Sequence, residues 1–244
     1  MKHIALITAK GGNQSLPNKN LIEIGGIPSV GHSILAAQKS GMIDSVWVTS
    51  EDERILAVAR DMGAEVISRP SDLSQPLTNH GDVMLHAYRS LLDLGVDFDT
   101  VTILLGNTVM TRPSDIRKAI GALEMDEHAT GAMTVWVAQD DHPYRAMVQG
   151  QSGYLETFLK TEQLVDTNRQ SYPEVLFYDQ GPWTVRNEVL AQAKRGDGPG
   201  PWWWMGDRVI PLRREWVTGR DTHTQFDLDI SEWWLSGNHS QPLN

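Results

Sequence analysis

The chain has 244 residues, no cysteine, and 21 Lys+Arg against 31 Asp+Glu, for a formal net charge of -10. That length fits one α/β domain, or a main domain with a small appendage, and is enough to bury a full core. The acidic balance argues against nonspecific binding to a nucleic-acid backbone or an anionic membrane, and the lack of cysteine excludes disulfide frameworks, thiolate catalysis and cysteine-based zinc or iron–sulfur centres.

His3 to Thr8 reads as the first strand and runs into the loop Ala9 to Asn20, A-K-G-G-N-Q-S-L-P-N-K-N. Gly11 and Gly12 can adopt backbone conformations closed to other residues, so their N–H groups can turn toward an anion, with Lys10 and Lys19 adding charge on either side. The loop is neither a Walker motif nor a G-x-G-x-x-G fingerprint. Ser29 to Ser40 has apolar positions at helical spacing and stops at Gly41. Val46 to Thr49 is a short strand, Asp52 to Met62 an amphipathic helix ending at Gly63, and Glu65 to Ile67 a further strand. His80 to Leu94 is a helix stopped by Gly95.

Thr100 to Leu105 is so uniformly apolar or β-branched that it reads as a central strand buried on both faces. This alternation predicts a mostly parallel sheet with crossover helices, in which the loops Ala9 to Asn20 and Gly106 to Arg112 face one another beyond the carboxyl ends of their strands. After Val137 the rhythm changes: Asp140 to Arg169 is polar and lacks a crossover helix, so it reads as an excursion, with His142 an ordinary polar loop histidine. Pro182 to Leu190 returns to strand and helix. Gly196 to Gly206 is a loop by its glycine and proline content. Three consecutive aromatics, Trp202 to Trp204, cannot all face one way, so at least one packs in a core or interface. Trp233 and Trp234 read as packing residues of a terminal helix. The apolar run Ile4 to Ile7 is too short for a signal peptide and no stretch reaches spanning length, so the expectation is a cytoplasmic protein.

Several ordered segments resemble one family. They are Lys10-Gly11-Gly12 with Pro17, Lys19 and Asn20; L-I-E-I-G-G-I-P from Leu21; T-S-E-D-E-R-I-L-A-V-A from Thr49; Gly63-Ala64-Glu65; and Arg69-Pro70-Ser71-Asp72-Leu73. His142-Pro143-Tyr144, Asn168-Arg169-Gln170, Tyr172-Pro173-Glu174 and Phe226-Asp227-Leu228-Asp229 continue the series. Together they resemble the acylneuraminate cytidylyltransferases, the CMP-sialic acid synthetases, over nearly the whole chain. The resemblance implies a Rossmann-like α/β nucleotidyltransferase fold with a mostly parallel central sheet flanked by helices. Residues 1–137 and 171–244 would form the main domain and 138–170 an inserted dimerisation and substrate-contact segment.

The implied reaction is attack by a hydroxyl of an acidic sugar (a nonulosonic acid of the sialic, legionaminic or pseudaminic kind) on the α-phosphate of CTP, giving a CMP-sugar and pyrophosphate. Such a transfer needs charge neutralisation, a metal and an aligned nucleophile. By the resemblance, Ala9, Lys10, Gly11, Gly12, Lys19, Asn20 and Arg69 would bind nucleotide, and Lys10, Lys19 and Asp229 would be catalytic; Asn107, by its position alone, would replace part of the missing glutamine contact to the nucleotide. Asp227 and Asp229, read as an extended segment in which residues two apart share a side, would hold Mg2+. Arg169 and Gln170 would read the sugar carboxylate, an anion suited to the arginine fork. Tyr144 and Arg145 would reach a partner's site in a homodimer.

The chain departs from the family pattern where Lys10 replaces an arginine, Asn13-Gln14 replaces Ser-Lys, and Leu105 to Val109 replaces a glutamine-containing run. These departures leave two other readings: a nucleotidyltransferase for another acceptor (Kdo, a phosphonate or a sugar 1-phosphate), or a noncatalytic nucleotide-binding relative.

Overall fold

Along His3–Thr8 (β1) every residue is buried, and the strand's two-residue period divides them between two cores. Ile4 and Leu6 join Met84, Leu91, Val101 and Ile103, while Ala5 and Ile7 join Val30, Ile34, Val48 and Ile116. The computed structural model describes residues 1–12, 16–161, 165–194 and 200–237.

After β1 these residues form a small hairpin of β2 (Glu23–Ile24) and β3 (Ile27–Pro28), then α1 (Ser29–Lys39), β4 (Ser45–Ser50), α2 (Glu53–Asp61), β5 (Glu65–Ser68) and α3 (His80–Asp93). There follow β6 (Thr100–Leu105), α4 (Pro113–Met125), β7 (Gly131–Val137), β8 (Met147–Gln149) and β9 (Leu155–Thr157). The chain continues through β10 (Leu176–Arg186), α5 (Asn187–Gln192), β11 (Val209–Arg213) and α6 (Gln225–Leu235). A 7-stranded sheet has the order β11-β7-β10-β6-β1-β4-β5. All neighbours are parallel except β10, which runs antiparallel to both β6 and β7. The α1, α2 and α4 side chains cover one face, and α3 and α5 the other.

From His3 to Leu105 every predicted element is present, with ends shifted by one residue at most. Gly63 (φ 78°) and Gly95 (φ 73°) hold the left-handed conformation that ends their helices. The second half departs further. Helix α4 lies where no helix was expected, although Pro113 opens it and Ile116, Ala119, Ile120 and Leu123 recur at helical spacing on its buried side. The strand β10 begins at Leu176, ahead of the expected Pro182, and its register on β7 shifts between Tyr178 and Trp183.

Within the excursion, β8 and β9 pair as a separate ribbon with Met147, Tyr154, Leu155 and Phe158 exposed. His142 is not a free loop side chain: it is buried, its Nε2 lies 3.0 Å from the Pro173 carbonyl, and it anchors one end of the excursion to the other. Trp203 and Trp204 are core residues, while Trp202 lies against Tyr178 with ring centroids 3.6 Å apart. Trp233, expected to pack, is 47% exposed. Residues 196–199 of the expected glycine-rich loop, and Asn13-Gln14 of the first loop, lie outside the described residues.

Candidate active site

Strands β1 and β6 end side by side, Thr8 opposite Leu105, and the Gly106 N–H donates to the Thr8 carbonyl at 2.9 Å. The loops leaving them therefore share one crevice at the carboxyl edge of the sheet, where open α/β sheets bind ligands. Gly106 allows this approach: a Cβ there would stand 2.8 Å from both the Ala9 Cβ and the Asn20 Oδ1. The Asn20 Nδ2 donates to the Lys10 carbonyl at 2.8 Å, so the buried Asn20 pins the loop backbone.

The crevice holds about 230 Å3, and Lys10, Lys19, Asn20, Arg69, Asn107 and Asp221 are among its lining residues. Lys19 is only 7% exposed. Burial, with Lys10 close by, lowers its pKa, while Asp221 and Asp227 pull the other way. A desolvated ammonium beside a second lysine is a site for an anion. Burial acts to raise the pKa of Asp221, but the hydrogen bond from His223, the charge of Lys19 and the hydrogen bond from Asn107 outweigh it and hold the carboxyl below its ordinary value.

Asp221 is a crevice residue that no motif singled out, and Asn107, expected at the nucleotide, lines the crevice and also binds protein. The Asn107 Nδ2 donates to Asp221 Oδ2 at 3.0 Å and to the Thr222 carbonyl at 3.2 Å, and the Thr222 N–H donates back to the Asn107 carbonyl at 2.9 Å. Asn107, the second residue after the central strand, thus holds the crevice carboxylate in place.

Arg69 also lines the crevice, but its guanidinium is engaged by protein. Nη2 donates to the Ala9 carbonyl and to Glu51 Oε2, each at 2.8 Å, and Nε donates to Ser74 Oγ at 2.9 Å. Glu51 further accepts from the Gly11 N–H at 2.8 Å and from Ser74 Oγ at 2.7 Å. Burial disfavours its charged form, yet the bonds from Ser74, Arg69 and Gly11 outweigh this and keep its pKa below the ordinary value. The expected phosphate cradle at Gly11 and Gly12 is therefore corrected. Neither glycine has a positive φ, the Gly11 N–H is taken by Glu51, and the pair lines a separate hollow with Glu51, Asp52, Glu53 and Arg54 rather than the lysine crevice. Gly11 is needed for a different reason: a Cβ would lie 2.2 Å from the Asp52 carboxylate.

The extended Asp227/Asp229 pair is corrected as well. Both residues lie on α6, where positions two apart diverge by about 200°. Asp227 belongs to a capping box with Thr224 and pairs with Arg220 Nη2 at 2.6 Å. Asp229 is exposed, accepts from Gln225 at 2.9 Å, and does not line the crevice. The sequence carried the signal: Thr-x-x-Asp before an apolar stretch is a helix start, which marks Asp227 as a cap and places the extended residues before Thr224. Among the described residues, no group of three His, Cys, Asp or Glu side chains is arranged to hold a metal.

Burial works against the Asp227 charge, but Arg220, the Thr224 hydroxyl and two backbone N–H groups hold its pKa at about 2, below the ordinary 3.8. A carboxyl depressed on folding contributes stability that is present above its unfolded pKa and lost as pH falls through the folded one. Asp227→Asn is accordingly expected to cost about 2 kcal/mol at neutral pH. Urea denaturation should show the wild-type advantage shrinking between pH 3.8 and about 2.

A second hollow of about 470 Å3 shares Asp221 with the crevice, and its wall includes Trp136, Phe177, Tyr178, Trp216, Arg220 and His223. Trp136 and Phe177 stack with centroids 4.8 Å apart, and the Arg220 guanidinium lies 5.1 Å from the Trp216 ring centre. A larger hollow of about 600 Å3, beside Ile27, His32 and Leu235, contains none of the expected site residues.

The four expected substrate residues of the excursion line neither the crevice nor the aromatic hollow of their own chain. Tyr144 packs on His142 and Tyr172; Arg145 and Arg169 both pair with Asp140, at 3.1 and 3.3 Å. The Gln170 backbone N–H donates to Asn168 Oδ1 at 3.1 Å.

A sequence family described as Cytidylyltransferase matches residues 4–174. The chain is 26% identical over 203 residues to the pseudaminic acid cytidylyltransferase of Campylobacter jejuni subsp. jejuni serotype O:2, covering 81% of this chain and 76% of that protein. It is 39% identical over 84 residues to N-acylneuraminate cytidylyltransferase A of Danio rerio, a match of 34% of this chain and 20% of that protein. Among solved structures, a CMP:2-keto-3-deoxy-manno-octonic acid synthetase complexed with CTP is similar in fold, with a TM-score of 0.71 at 18% identity and coverage of 98% of this chain and 100% of that one.

Proposed function

From the premise that the chain belongs to the cytidylyltransferase family, we propose that it transfers CMP from CTP to a nonulosonic acid with release of pyrophosphate. The observation that carries the reading is the crevice itself. Lys10 and Lys19 share it with the Asp221 carboxylate, and Asp221 joins it to an aromatic hollow large enough for a sugar. The similarity to a pseudaminic acid cytidylyltransferase over most of both chains supports an acidic nine-carbon acceptor.

Lys10 and Lys19 hold the triphosphate and offset the charge that builds on the leaving pyrophosphate. The acceptor oxygen forms a bond to the α-phosphorus while the bond from that phosphorus to the β-phosphate bridging oxygen breaks, and the hydroxyl proton is released. Aromatic faces in the hollow pack against the sugar, and Arg220 is the guanidinium placed to meet its carboxylate. Magnesium binds proteins through one or two carboxylates plus substrate phosphates, a requirement that Asp221 fits and the divergent Asp227 and Asp229 do not. Both hydrogen bonds to Asp221 arrive at Oδ2, so Oδ1 is the oxygen suited to the cation. When bound, the ion supplies charge neutralisation on the phosphates.

In this reading the enzyme is a cytoplasmic homodimer. The exposed apolar ribbon of β8 and β9 is the contact surface, and Tyr144, Arg145, Arg169 and Gln170 serve the partner's hollow. No helix of the described residues is long and apolar enough to cross a membrane. The test is pyrophosphate release from CTP and Mg2+ with pseudaminic, legionaminic and N-acetylneuraminic acids, with Kdo and with a sugar 1-phosphate. Turnover with at least one nonulosonic acid is expected. Turnover confined to Kdo or to a sugar 1-phosphate overturns the assignment.

A further inference from the structure

We infer that His223 is a positioning residue of the transfer: its imidazole stands between the Lys19 ammonium and the Asp221 carboxylate and keeps both charges turned to the crevice. The inference rests on reading the crevice as the triphosphate site. The Lys19 Nζ lies 3.4 Å from His223 Nδ1, and His223 Nε2 lies 2.6 Å from Asp221 Oδ2. An ammonium can only donate, so Nδ1 is the acceptor; Nε2 then carries the ring hydrogen and donates to the carboxylate. One neutral ring satisfies both partners.

The ring is aimed by its surroundings. The His223 N–H donates to Asp227 Oδ2 at 3.1 Å, so the cap of α6 fixes its backbone, while Asn107 donates to the same Asp221 oxygen that His223 bonds. No direct ion pair joins Lys19 to Asp221 among the described residues.

That separation has a functional consequence. Lysine has a four-carbon flexible stem, and opposite charges in a partly desolvated crevice attract strongly. With the ring removed, the Lys19 ammonium closes onto Asp221. Phosphate then loses a cation, the metal loses a carboxylate, and substrate binding must first break an ion pair. The imidazole prevents this without contributing net charge. Its position also places it in the wall of the aromatic hollow, where nucleotide and acceptor meet.

The His223 side chain is 54% exposed, so shortening it leaves no cavity in the core. His223→Ala is expected to raise the KM for CTP and to weaken metal-free CTP binding, measured by calorimetry, about tenfold, with the acceptor KM unchanged. His223→Gln, whose amide can accept from Lys19 and donate to Asp221, should return CTP affinity to within about threefold of wild type. In a Lys19→Met background, His223→Ala should have little further effect, since the ammonium it restrains is gone.

Wild-type affinity and turnover in His223→Ala overturn the inference, as does a His223→Gln variant as impaired as His223→Ala. A kcat loss at unchanged CTP affinity also overturns it, because that result assigns the ring to the chemical step. Failure of the wild-type protein to bind CTP or release pyrophosphate with any acceptor would instead overturn the underlying reading.

Discussion

Asp221→Asn is expected to lower kcat/KM for CMP transfer by about a thousandfold, or about 4 kcal/mol of transition-state stabilisation. The substitution keeps the size and most of the hydrogen-bonding capacity of the side chain, so Asn107 and His223 retain a partner and the fold should persist. It removes the negative charge that faces Lys19 and is shared by the crevice and the aromatic hollow. Steady-state pyrophosphate release should show the loss mainly in kcat, with an urea midpoint close to wild type. Activity within a few-fold of wild type would show that Asp221 lies outside the reaction. The parallel variant Asp229→Asn should be nearly silent, because that carboxylate is exposed and, among the described residues, paired only within its own helix.

The second large effect concerns stability. Arg214 is buried with Asp179 and Asp115, their side chains exposed by only 2%, 0% and 3%. Arg214 Nε donates to Asp179, and Nη1 lies 3.5 Å from Asp115 Oδ2. Thr134 and the Gly181 N–H complete the shell around Asp179. Burial still pushes the Asp179 pKa above its ordinary value, against the pull of Arg214.

Removing one member of such a group leaves uncompensated charge in a dry environment, so Arg214→Met is expected to destabilise the fold by about 3–5 kcal/mol. The loss should appear in the urea midpoint without a change in slope. Adding Asp179→Asn to Arg214→Met should recover part of it, since the stranded charge is then gone. The consequence reaches function, because the turn Trp216–Gly219 packs directly on this cluster: a Cβ at Gly219 would fall 2.6 Å from the Asp179 Cβ. Trp216 in the wall of the hollow is thereby held in place by an ion cluster on α4, β10 and the segment after β11.

Local pattern determined much of this protein. The apolar alternation of β1 and β6, the helical spacing of α1 to α3 and the glycine stops were legible because each depends on neighbours within a few residues. The ordered motifs were enough to identify the family and to place Lys10, Lys19 and Asn20 at the strand end where the crevice forms. What only the tertiary structure decided was which carboxylate faces those lysines. Asp227 and Asp229 looked like a metal pair because an extended backbone aligns alternate residues, but the Thr224 capping box turns that segment into helix and sends them apart. Asp221 earns its place through Asn107, His223 and Lys19, partners 114, 2 and 202 positions away along the chain. Contacts across such separations are set by how the sheet stacks its strands, and no local period records them.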